Sequence, residues 1–569
     1  MTTSPDYGAQ ANPDLLARIP LDARAVLDVG CGAGALGAAW RRRNPHTRLI
    51  AVEPDPALAL HAEAHYDEVH RLDVEAVAPP VAAGSLDALL FGDVLEHLRD
   101  PWAVLRRDAA LLAADGVLVA CVPNLEHWTF AARLLMGGWR YERMGLFDRT
   151  HLRWFTRDGM KQALEEAGLV PVDVMPRIFN RPAMEDFVQR ITPALQALGV
   201  DPAGYAQRAA PLQYVWRATR RRPARLAVVA RTLRPVGGIN DVRIHEPLSA
   251  LASRPGIVAR AEPGAGIPQM PQGMAGVIVL QRQLLNAPTA PDYLRALRAT
   301  GALIVQEFDD DPAHWPVIEE SGYLAFRGVH AVQTSTPALR ELFLQWNPEV
   351  AVFPNALAVV PEPCNFMNPD RLTMFFGALN REGDMAPFLP ALNAVLAEAG
   401  ERLGVQVLHD RATFDALQTP HKRFAPLGSY ADYRAAMAGC EIAFLPLRDT
   451  RFNRMKSDLK FVEAAGHRLC CIASPVVYGG TIRDGETGLV VQRADDFAAA
   501  LRALLARPAE ALRMAEAARA EVIGARLLAQ QAAARLAWYR SLVARRAELD
   551  AALLSRVPAL GQPTTHTPR

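Results

Sequence analysis

A glycine-rich turn near the start of the chain is the first segment whose residue types could do chemistry. Residues 26–34 read Val-Leu-Asp-Val-Gly-Cys-Gly-Ala-Gly, so that Asp28 precedes Gly30, Gly32 and Gly34. Glycines at a strand-to-helix junction permit a tight turn and let the backbone approach a ligand closely, and the helix N-terminus offers unpaired N–H groups. The turn therefore predicts a small-molecule site, but several kinds of nucleotide cofactor use a turn of this type.

Three acidic residues help to distinguish between those cofactors. Asp28 can meet the ammonium group of a methionine moiety, and Glu53, at the end of the second predicted strand, can accept both hydroxyls of a ribose. Asp73 follows the third strand and can accept a hydrogen bond from an adenine amino group, a position that the simple dinucleotide fingerprint does not include. The acids favour S-adenosylmethionine, whereas the glycines alone leave an NAD-dependent oxidoreductase as an alternative.

Two further segments carry a family resemblance. Residues 92–101 read Gly-Asp-Val-Leu-Glu-His-Leu-Arg-Asp-Pro, and residues 146–156 read Leu-Phe-Asp-Arg-Thr-His-Leu-Arg-Trp-Phe-Thr. With these motifs, the chain as far as about Arg217 resembles the class I S-adenosylmethionine-dependent methyltransferases. The resemblance implies contacts to the methyl donor at Asp28, Gly30, Gly32, Gly34, Glu53 and Asp73, and a pocket near the methyl group lined by Asp93 and Val94.

Two histidines are candidates for the catalytic base. Methyl transfer is an in-line displacement on a sulfonium, so the enzyme aligns donor and acceptor and supplies a base when the acceptor is a hydroxyl. His97 follows the fourth predicted strand, and His151 lies in the loop expected to cap the cleft. An imidazole suits proton transfer near neutral pH, although a structural role is the alternative for each residue.

The second segment with recognisable chemistry lies near residue 460. Lys456, Lys460 and Glu463 are followed by glycine turns, which together suit a nucleotide sugar: cations for the diphosphate, a carboxylate for the ribose, and closely approaching backbone. The run resembles the nucleotide-binding lobe of GT-B glycosyltransferases, in particular the retaining type 4 family. The resemblance implies that Glu463 binds the ribose, that Lys456 and Arg381 serve the diphosphate, and that the Gly237-Gly238 turn approaches the phosphates from the opposite lobe. The family usually carries a lysine soon after the arginine, which this chain lacks, and Lys456 or Lys460 can take its place at the diphosphate.

One residue departs from that family pattern. Many members carry a second glutamate eight positions before the first, where this chain has Met455. The departure leaves a non-catalytic, glycosyltransferase-like binding module as an alternative. The run Asp309-Asp310-Asp311 suggests a metal site, but a strand-end turn before Pro312 explains it equally, and we expect no metal because cations can neutralise the leaving diphosphate.

The residues of the two candidate sites are expected to lie on three α/β units. Short β-branched runs alternate with helical stretches throughout the chain, which predicts a Rossmann-like methyltransferase domain followed by the two Rossmann-like lobes of a GT-B glycosyltransferase. Within the first unit, residues 183–219 are predicted to be helical. The predicted limits are 1–222 for the methyltransferase domain, 223–368 for the acceptor lobe, 369–535 for the nucleotide-sugar lobe, and 536–569 for a C-terminal helix and tail.

Charge and hydropathy limit the kinds of molecule that the protein is expected to bind and the place where it is expected to act. A net charge of +1 over 569 residues argues against nucleic acid. The chain has no apolar run of the roughly 18 residues that a membrane span needs, so we expect a cytoplasmic protein, with peripheral contact at the inner membrane surface as an option. The leading hypothesis is a bifunctional transferase that uses S-adenosylmethionine and a nucleotide sugar on a glycan or glycolipid acceptor.

Overall fold

The computed structural model describes residues 10–233, 238–364, 366, 370–377, 379 and 381–562. Its internal contacts divide the chain into two compact units. The first comprises Met1–Arg225 and Leu251–Ile257, and the second comprises Leu226–Ala250 and Val258–Arg569. Each described sheet is mostly parallel with helices in its connections, so the predicted α/β class is confirmed.

The first unit is built on a seven-stranded sheet in the order β3-β2-β1-β4-β5-β7-β6. Strands β1 to β5 pair in parallel, and β7 is antiparallel to both β5 and β6. The strands are β1 Ala25–Val29, β2 Arg48–Val52, β3 Glu68–His70, β4 Leu86–Gly92, β5 Leu112–Pro123, β6 Val170–Ile178 and β7 Pro211–Thr219. The helices are α1 Pro13–Leu16, α2 Ala35–Arg43, α3 Pro56–Ala62, α4 Pro101–Asp108, α5 Trp128–Leu135, α6 Arg157–Glu166, α7 Arg181–Ala197 and α8 Pro202–Ala209.

The helical prediction for residues 183–219 is wrong at its C-terminal end, where β7 forms. Tyr214, Trp216 and Ala218 lie on one face of this strand and join one core cluster, while Val215 joins the cluster on the other face. This period of two is the signature of a strand buried on both faces. The alanine-rich residues just before β7 favour a helix, so the sequence pattern extends the predicted helix into the strand.

The second unit contains two six-stranded sheets. The first lobe has the order β13-β12-β11-β10-β8-β9, and the second lobe has the order β16-β15-β14-β17-β18-β19. The first-lobe strands are β8 Leu226–Thr232, β9 Ile257–Pro263, β10 Ala275–Gln281, β11 Leu303–Glu307, β12 Ala331–Thr334 and β13 Val350–Val352. The second-lobe strands are β14 Leu372–Gly377, β15 Leu403–Leu408, β16 Lys422–Ala425, β17 Ile442–Leu445, β18 Cys470–Ala473 and β19 Leu489–Val490.

Helices cover both sheets of the second unit. Those in the first lobe are α9 Glu246–Ala252, α10 Ala290–Ala299, α11 Pro316–Glu320, α12 Leu324–Arg327 and α13 Pro337–Phe343. Those in the second lobe are α14 Glu382–Met385, α15 Leu389–Ala399, α16 Arg411–Ala416, α17 Tyr430–Ala438, α18 Arg451–Arg454, α19 Leu459–Gly466, α20 Pro475–Tyr478, α21 Ala494–Ala506 and α22 Pro508–Ala525.

The last two helices, α23 Leu528–Ala544 and α24 Arg546–Arg556, return to the first lobe. Leu553 is fully buried in the first-lobe core, and the Tyr539 hydroxyl donates to Gln333 Oε1 on β12 over 2.7 Å. The predicted lobe limit at residue 535 therefore falls inside α23. Among the helices of the described ranges, none is long and apolar enough to cross a bilayer.

Candidate functional sites

The glycine turn lies directly after β1, at the carboxyl edge of the first sheet. Gly30, Gly32 and Gly34 have φ values of 71°, 57° and 90°, in the left-handed region that favours glycine. A Cβ atom on Gly30 would lie 2.5 Å from a methyl carbon of Val94, whereas one on Gly32 would meet nothing within 4 Å. The turn thus packs tightly against Val94 and leaves open space at Gly32, where a ligand can reach the backbone.

Two predicted acids lie beside this turn and are buried. Asp28 accepts a hydrogen bond from the Tyr66 hydroxyl, and burial raises the pKa of Asp28 to about 7. Glu53 accepts hydrogen bonds from the backbone N–H groups of Gly32, over 2.9 Å, and Asp55, over 3.0 Å. Burial also raises the pKa of Glu53. Both carboxylates are therefore brought to the glycine turn, and neither is paired with a cation among the described residues.

Two more predicted acids follow β3 and β4. Asp73 is exposed, and its Oδ1 accepts a hydrogen bond of 2.9 Å from the Glu75 backbone. Asp93 follows β4 with a φ of 58°, and it accepts a hydrogen bond from the Gln213 side chain on β7. Burial raises the pKa of Asp93 to about 6. Asp93 thus lies at the same sheet edge as the glycine turn, since β4 pairs with β1 in parallel.

The two predicted histidines lie together. The ring centroids of His97 and His151 are 4.8 Å apart, and His97 Nδ1 lies 3.0 Å from the Thr150 hydroxyl. Burial is the main reason that the pKa of each imidazole lies below its usual value. Each ring is therefore neutral near pH 7 and can accept a proton.

Glu96 completes this group, although it was not among the residues predicted from the sequence. Its side chain is 1% exposed, and neither carboxylate oxygen has a hydrogen-bond partner within the described part of the chain. Burial holds its pKa well above the usual range. One ligand atom from each of Glu96, His97 and His151 lies within 4.8 Å of the others, so the three could hold a divalent cation. The only signal in the sequence is an acid directly before a candidate histidine.

The second candidate site is a cleft of about 570 Å³ between the two lobes of the second unit. Predicted residues from both lobes line it, namely Gly238, Arg381, Lys456, Lys460 and Glu463. A Cβ atom on Gly238 would lie 2.3 Å from the Tyr430 ring, so glycine is required for this approach between the lobes. Gly237, its predicted partner, lies outside the described residues.

The predicted cations of this cleft already have partners. Arg381 donates to Asp384 over 2.9 Å and to Asn453 over 2.6 Å. Lys456 donates to Asp310 of the opposite lobe over 2.6 Å. Lys460 donates to the Gly377 carbonyl, and burial lowers its pKa to about 8.

Glu463 lies on α19 and is held by two tyrosines. The hydroxyls of Tyr430 and Tyr433 donate to its two oxygens over 2.8 Å and 3.1 Å. The tyrosine rings are stacked, with centroids 6.2 Å apart. Burial raises the pKa of Glu463, partly offset by Lys460. The carboxylate keeps lone pairs that a ribose hydroxyl could use.

The aspartate run that suggested a metal is engaged by cations instead. Asp309 binds Arg282 over 2.5 Å, Asp310 binds Lys456, and Asp311 binds Arg451 over 3.1 Å. Asp309 and Asp310 line the cleft. These pairs supply the counter-charges that buried carboxylates require.

Aromatic rings form another wall of the cleft that sequence reasoning missed. The rings of His314 and Phe452 come from opposite lobes and lie 4.9 Å apart, and the Lys456 ammonium is 4.2 Å from the Phe452 ring centroid. Met455, the departure from the family pattern, packs instead against the first-lobe core. No spacing in the sequence connects His314 with Phe452, because only the fold brings them together.

Comparisons with known proteins agree with this division into two transferase parts. A family model described as a methyltransferase domain matches residues 6–174, and one described as glycosyl transferases group 1 matches residues 371–507. The ubiquinone biosynthesis O-methyltransferase of Dinoroseobacter shibae is 31% identical over 176 residues, which are 30% of this chain and 70% of that protein.

Two solved structures resemble part of the chain in fold. A glycosyltransferase from Rickettsia africae has 12% identity and a TM-score of 0.41, over 56% of this chain and 99% of that one. TarM of S. aureus has 9% identity and a TM-score of 0.37, over 46% of this chain, and the match spans about half of TarM, 54%. The chain belongs to the methyltransferase domain family through its N-terminal part and carries a group 1 glycosyltransferase domain of GT-B fold in its C-terminal part.

Proposed function

We propose that the protein is a bifunctional transferase, with an S-adenosylmethionine-dependent methyltransferase in residues 1–222 and a nucleotide-sugar-dependent glycosyltransferase in residues 223–535. The observation that carries the proposal is the contrast in charge between the two sites. The glycine turn is bordered by buried acids that have no cationic partner in the described part of the chain, which suits a donor carrying an ammonium and a sulfonium. The cleft is lined by Arg381, Lys456 and Lys460, which suit a diphosphate.

In the methyltransferase site, the donor supplies an electrophilic methyl group, and the protein residues hold and align it. Asp28 pairs with the amino-acid ammonium, Glu53 accepts the ribose hydroxyls, and Asp73 meets the adenine amino group. Open space at Gly32 supports the close approach of a ligand to the backbone. Asp93 and Val94 border the place of the methyl group, since Val94 packs on the glycine turn.

The histidine pair supplies the base that deprotonates the acceptor hydroxyl. The acceptor oxygen attacks the methyl carbon as the carbon–sulfur bond breaks, and His97 or His151 takes the hydroxyl proton. The lowered pKa of both rings supports this role, because each is neutral before the reaction. The proposal requires no metal, and a chelator tests that: activity should survive it. Loss of activity on chelation and recovery with Mg²⁺ would assign Glu96 and the histidines to a metal instead.

In the glycosyltransferase cleft, Arg381, Lys456 and Lys460 neutralise the diphosphate, and Glu463 binds the ribose. The turn at Gly237 and Gly238 brings backbone N–H groups to the phosphates from the opposite lobe. We assign the sugar ring to the space between Asp310 and the His314–Phe452 ring pair, since aromatic faces and carboxylates suit the apolar faces and hydroxyls of sugars. Such neutralisation stabilises the leaving diphosphate without a metal.

The acceptor that we propose is a glycan or glycolipid of bacterial surface glycan biosynthesis, modified in the cytoplasm with peripheral contact at the inner membrane. The argument for one shared acceptor is the fusion of two transferase domains in one chain. Candidate acceptors would be tested in the presence of both donors, with mass spectrometry to count added methyl and glycosyl groups.

A non-catalytic binding module is the second candidate for the cleft. Met455 favours it, because this side chain packs into the first-lobe core and offers the sugar no polar group. Nucleotide-sugar hydrolysis or transfer separates the two candidates. Turnover that is abolished by both Glu463→Ala and Lys456→Ala would exclude the binding module.

Donor binding is the most direct test of the whole proposal. S-adenosylmethionine, S-adenosylhomocysteine, NAD and a panel of nucleotide sugars would be titrated against the full-length protein by calorimetry and thermal shift. A ligand at 100 times its dissociation constant stabilises the folded state by about 2.7 kcal/mol. We expect independent binding of a methyl donor and a nucleotide sugar. Binding of NAD without S-adenosylmethionine would overturn the assignment of the first site.

A further inference from the structure

Residues 134–144, which comprise the end of α5 and the loop after it and which we name the apolar loop, form an unusual surface of the first unit. Every residue of this stretch is exposed. Its large apolar side chains and their exposed fractions are Leu134 64%, Leu135 72%, Met136 75%, Trp139 36%, Tyr141 65% and Met144 48%. So many apolar side chains within one short segment, left in water, mark a surface that is covered in use.

The apolar loop is held in place by the residues beneath it. Trp139 packs against the buried rings of Phe130 and Phe147, at centroid distances of 5.9 Å and 5.2 Å. The Arg133 guanidinium lies 3.7 Å from the Phe147 ring centroid and donates to the Arg140 carbonyl over 3.2 Å. The exposed side chains are therefore presented by an anchored backbone.

The charges of the apolar loop are unbalanced. Its one acid, Glu142, is paired with Arg133. Arg140 and Arg143 are exposed, and their guanidinium groups have no hydrogen-bond or ion-pair partner within the described ranges. These two cations, interleaved with leucine, methionine, tryptophan and tyrosine, complement a surface that is apolar inside and anionic at its face.

The apolar loop also borders the histidine pair. Trp139 contacts Trp154 at a centroid distance of 6.3 Å, and Trp154 contacts His151 at 5.5 Å. A molecule held against the loop is thus one aromatic ring away from the candidate base. This position suits a methyl acceptor that carries a lipid chain.

We propose that the apolar loop docks the protein on the surface of an anionic lipid bilayer. Leu134, Leu135 and Met136 insert among the acyl chains, Trp139 and Tyr141 lie at the level of the headgroups, and Arg140 and Arg143 meet the lipid phosphates. The apolar loop would then be the surface through which the protein makes the peripheral membrane contact proposed above. It rests on the proposed function only for the route of a lipid-linked acceptor to the histidines.

Vesicle flotation of the full-length protein tests the docking without either donor. The protein should float with vesicles containing phosphatidylglycerol and not with phosphatidylcholine alone. Leu134→Ser with Leu135→Ser should lower the affinity more than about tenfold, because two leucines lose their burial. Arg140→Gln with Arg143→Gln should lower it about 30-fold, which is two contributions of about 1 kcal/mol at 1.4 kcal/mol per factor of ten.

A matched control comes from two other exposed leucines of the same unit. Leu60 and Leu198 are 60% and 78% exposed, so Leu60→Ser with Leu198→Ser removes similar apolar area elsewhere and should leave flotation unchanged. The proposal is overturned if the native protein does not float, if the control variant loses as much affinity, or if the Leu134 and Leu135 variant abolishes self-association rather than flotation. Since no donor is present, failure of either transferase assignment would leave this result untouched.

Discussion

The two candidate sites differ in how their charged groups are paired. At the glycine turn, Asp28 is met by the Tyr66 hydroxyl and Glu53 by backbone N–H groups, so neither acid has a cationic partner among the described residues. In the cleft, Lys456 and Arg381 are each already bound to a carboxylate. A cationic donor would therefore supply the counter-charge that the first site lacks, whereas an anionic donor must take cations away from acids of the protein.

The largest effect should follow from removing a cation of the cleft. Lys456→Met keeps the length of the side chain and deletes the ammonium that serves the diphosphate. We expect the affinity for a nucleoside diphosphate to fall about 100-fold, the size of one strong charge-assisted hydrogen bond to the phosphate. Calorimetry would measure this, and S-adenosylmethionine binding should not change.

Arg454→Met is the control for that variant. Arg454 lies two residues away but is 65% exposed and bound to the exposed Asp449, outside the cleft. Its nucleotide affinity should match that of the native protein. Equal losses in the two variants would mean that the effect is structural, and the contrast between the sites would fail.

A smaller loss is expected on the acidic side of the comparison. Asp28→Asn keeps the hydrogen bond to Tyr66 but deletes the charge that would meet the donor's ammonium. S-adenosylmethionine affinity should fall about 30-fold, while nucleotide binding stays unchanged. The melting temperature should not fall, because burial already disfavours the ionised form of Asp28. Asp115→Asn, which changes an exposed acid on β5, should alter neither quantity.

Most of the fold could be predicted from the sequence, because strand-period and helix-period patterns are local. β7 was missed, since it follows a helical, alanine-rich stretch, and its antiparallel pairing with β5 is a long-range contact. The return of α23 to the first lobe could not be predicted either, because an amphipathic helix does not specify which of two lobes it covers.

The candidate sites divide in the same way. Asp28 and Glu53 could be predicted because sequence motifs locate the ends of their strands. Glu463 could be predicted because it belongs to a recognisable motif on a helix. The partners of the cations could not be named, since Asp310 and Lys456 are 146 positions apart and meet only across the cleft. Glu96 was overlooked because its significance lies in its burial without a partner, which no sequence pattern expresses.

The pH dependence should have opposite signs at the two sites. Burial raises the pKa of Asp28 to about 7, so below that pH the free protein carries a neutral carboxyl that must lose its proton to pair with the donor. Methyl-donor affinity should therefore drop up to about tenfold per pH unit below about 7. Burial lowers the pKa of Lys460 to about 8, so above that pH the free protein carries a neutral amine. Nucleotide affinity should drop as pH rises beyond about 8.

Calorimetric titrations from about pH 5 to about pH 9 would measure both dependences. Asp28→Asn should flatten the first profile and leave the second unchanged. Lys460→Gln should do the reverse. Profiles that fall in the same direction would show that a general loss of the fold, rather than these two groups, governs binding.

The smallest effect should be a gain in affinity at the cleft. Asp310 competes with the donor for Lys456, so Asp310→Asn should release the ammonium and tighten binding of a nucleoside diphosphate about threefold. The same variant should weaken binding of the whole nucleotide sugar, because the carboxylate that faces the sugar ring is lost. Asp449→Asn, which removes an exposed, ion-paired acid outside the cleft, should do neither. If Asp310→Asn weakened the binding of both ligands equally, Asp310 would be a structural partner of Lys456. The donor would then bind without drawing Lys456 away from Asp310, and this exchange of ion-pair partners would no longer distinguish the cleft from the glycine-turn site.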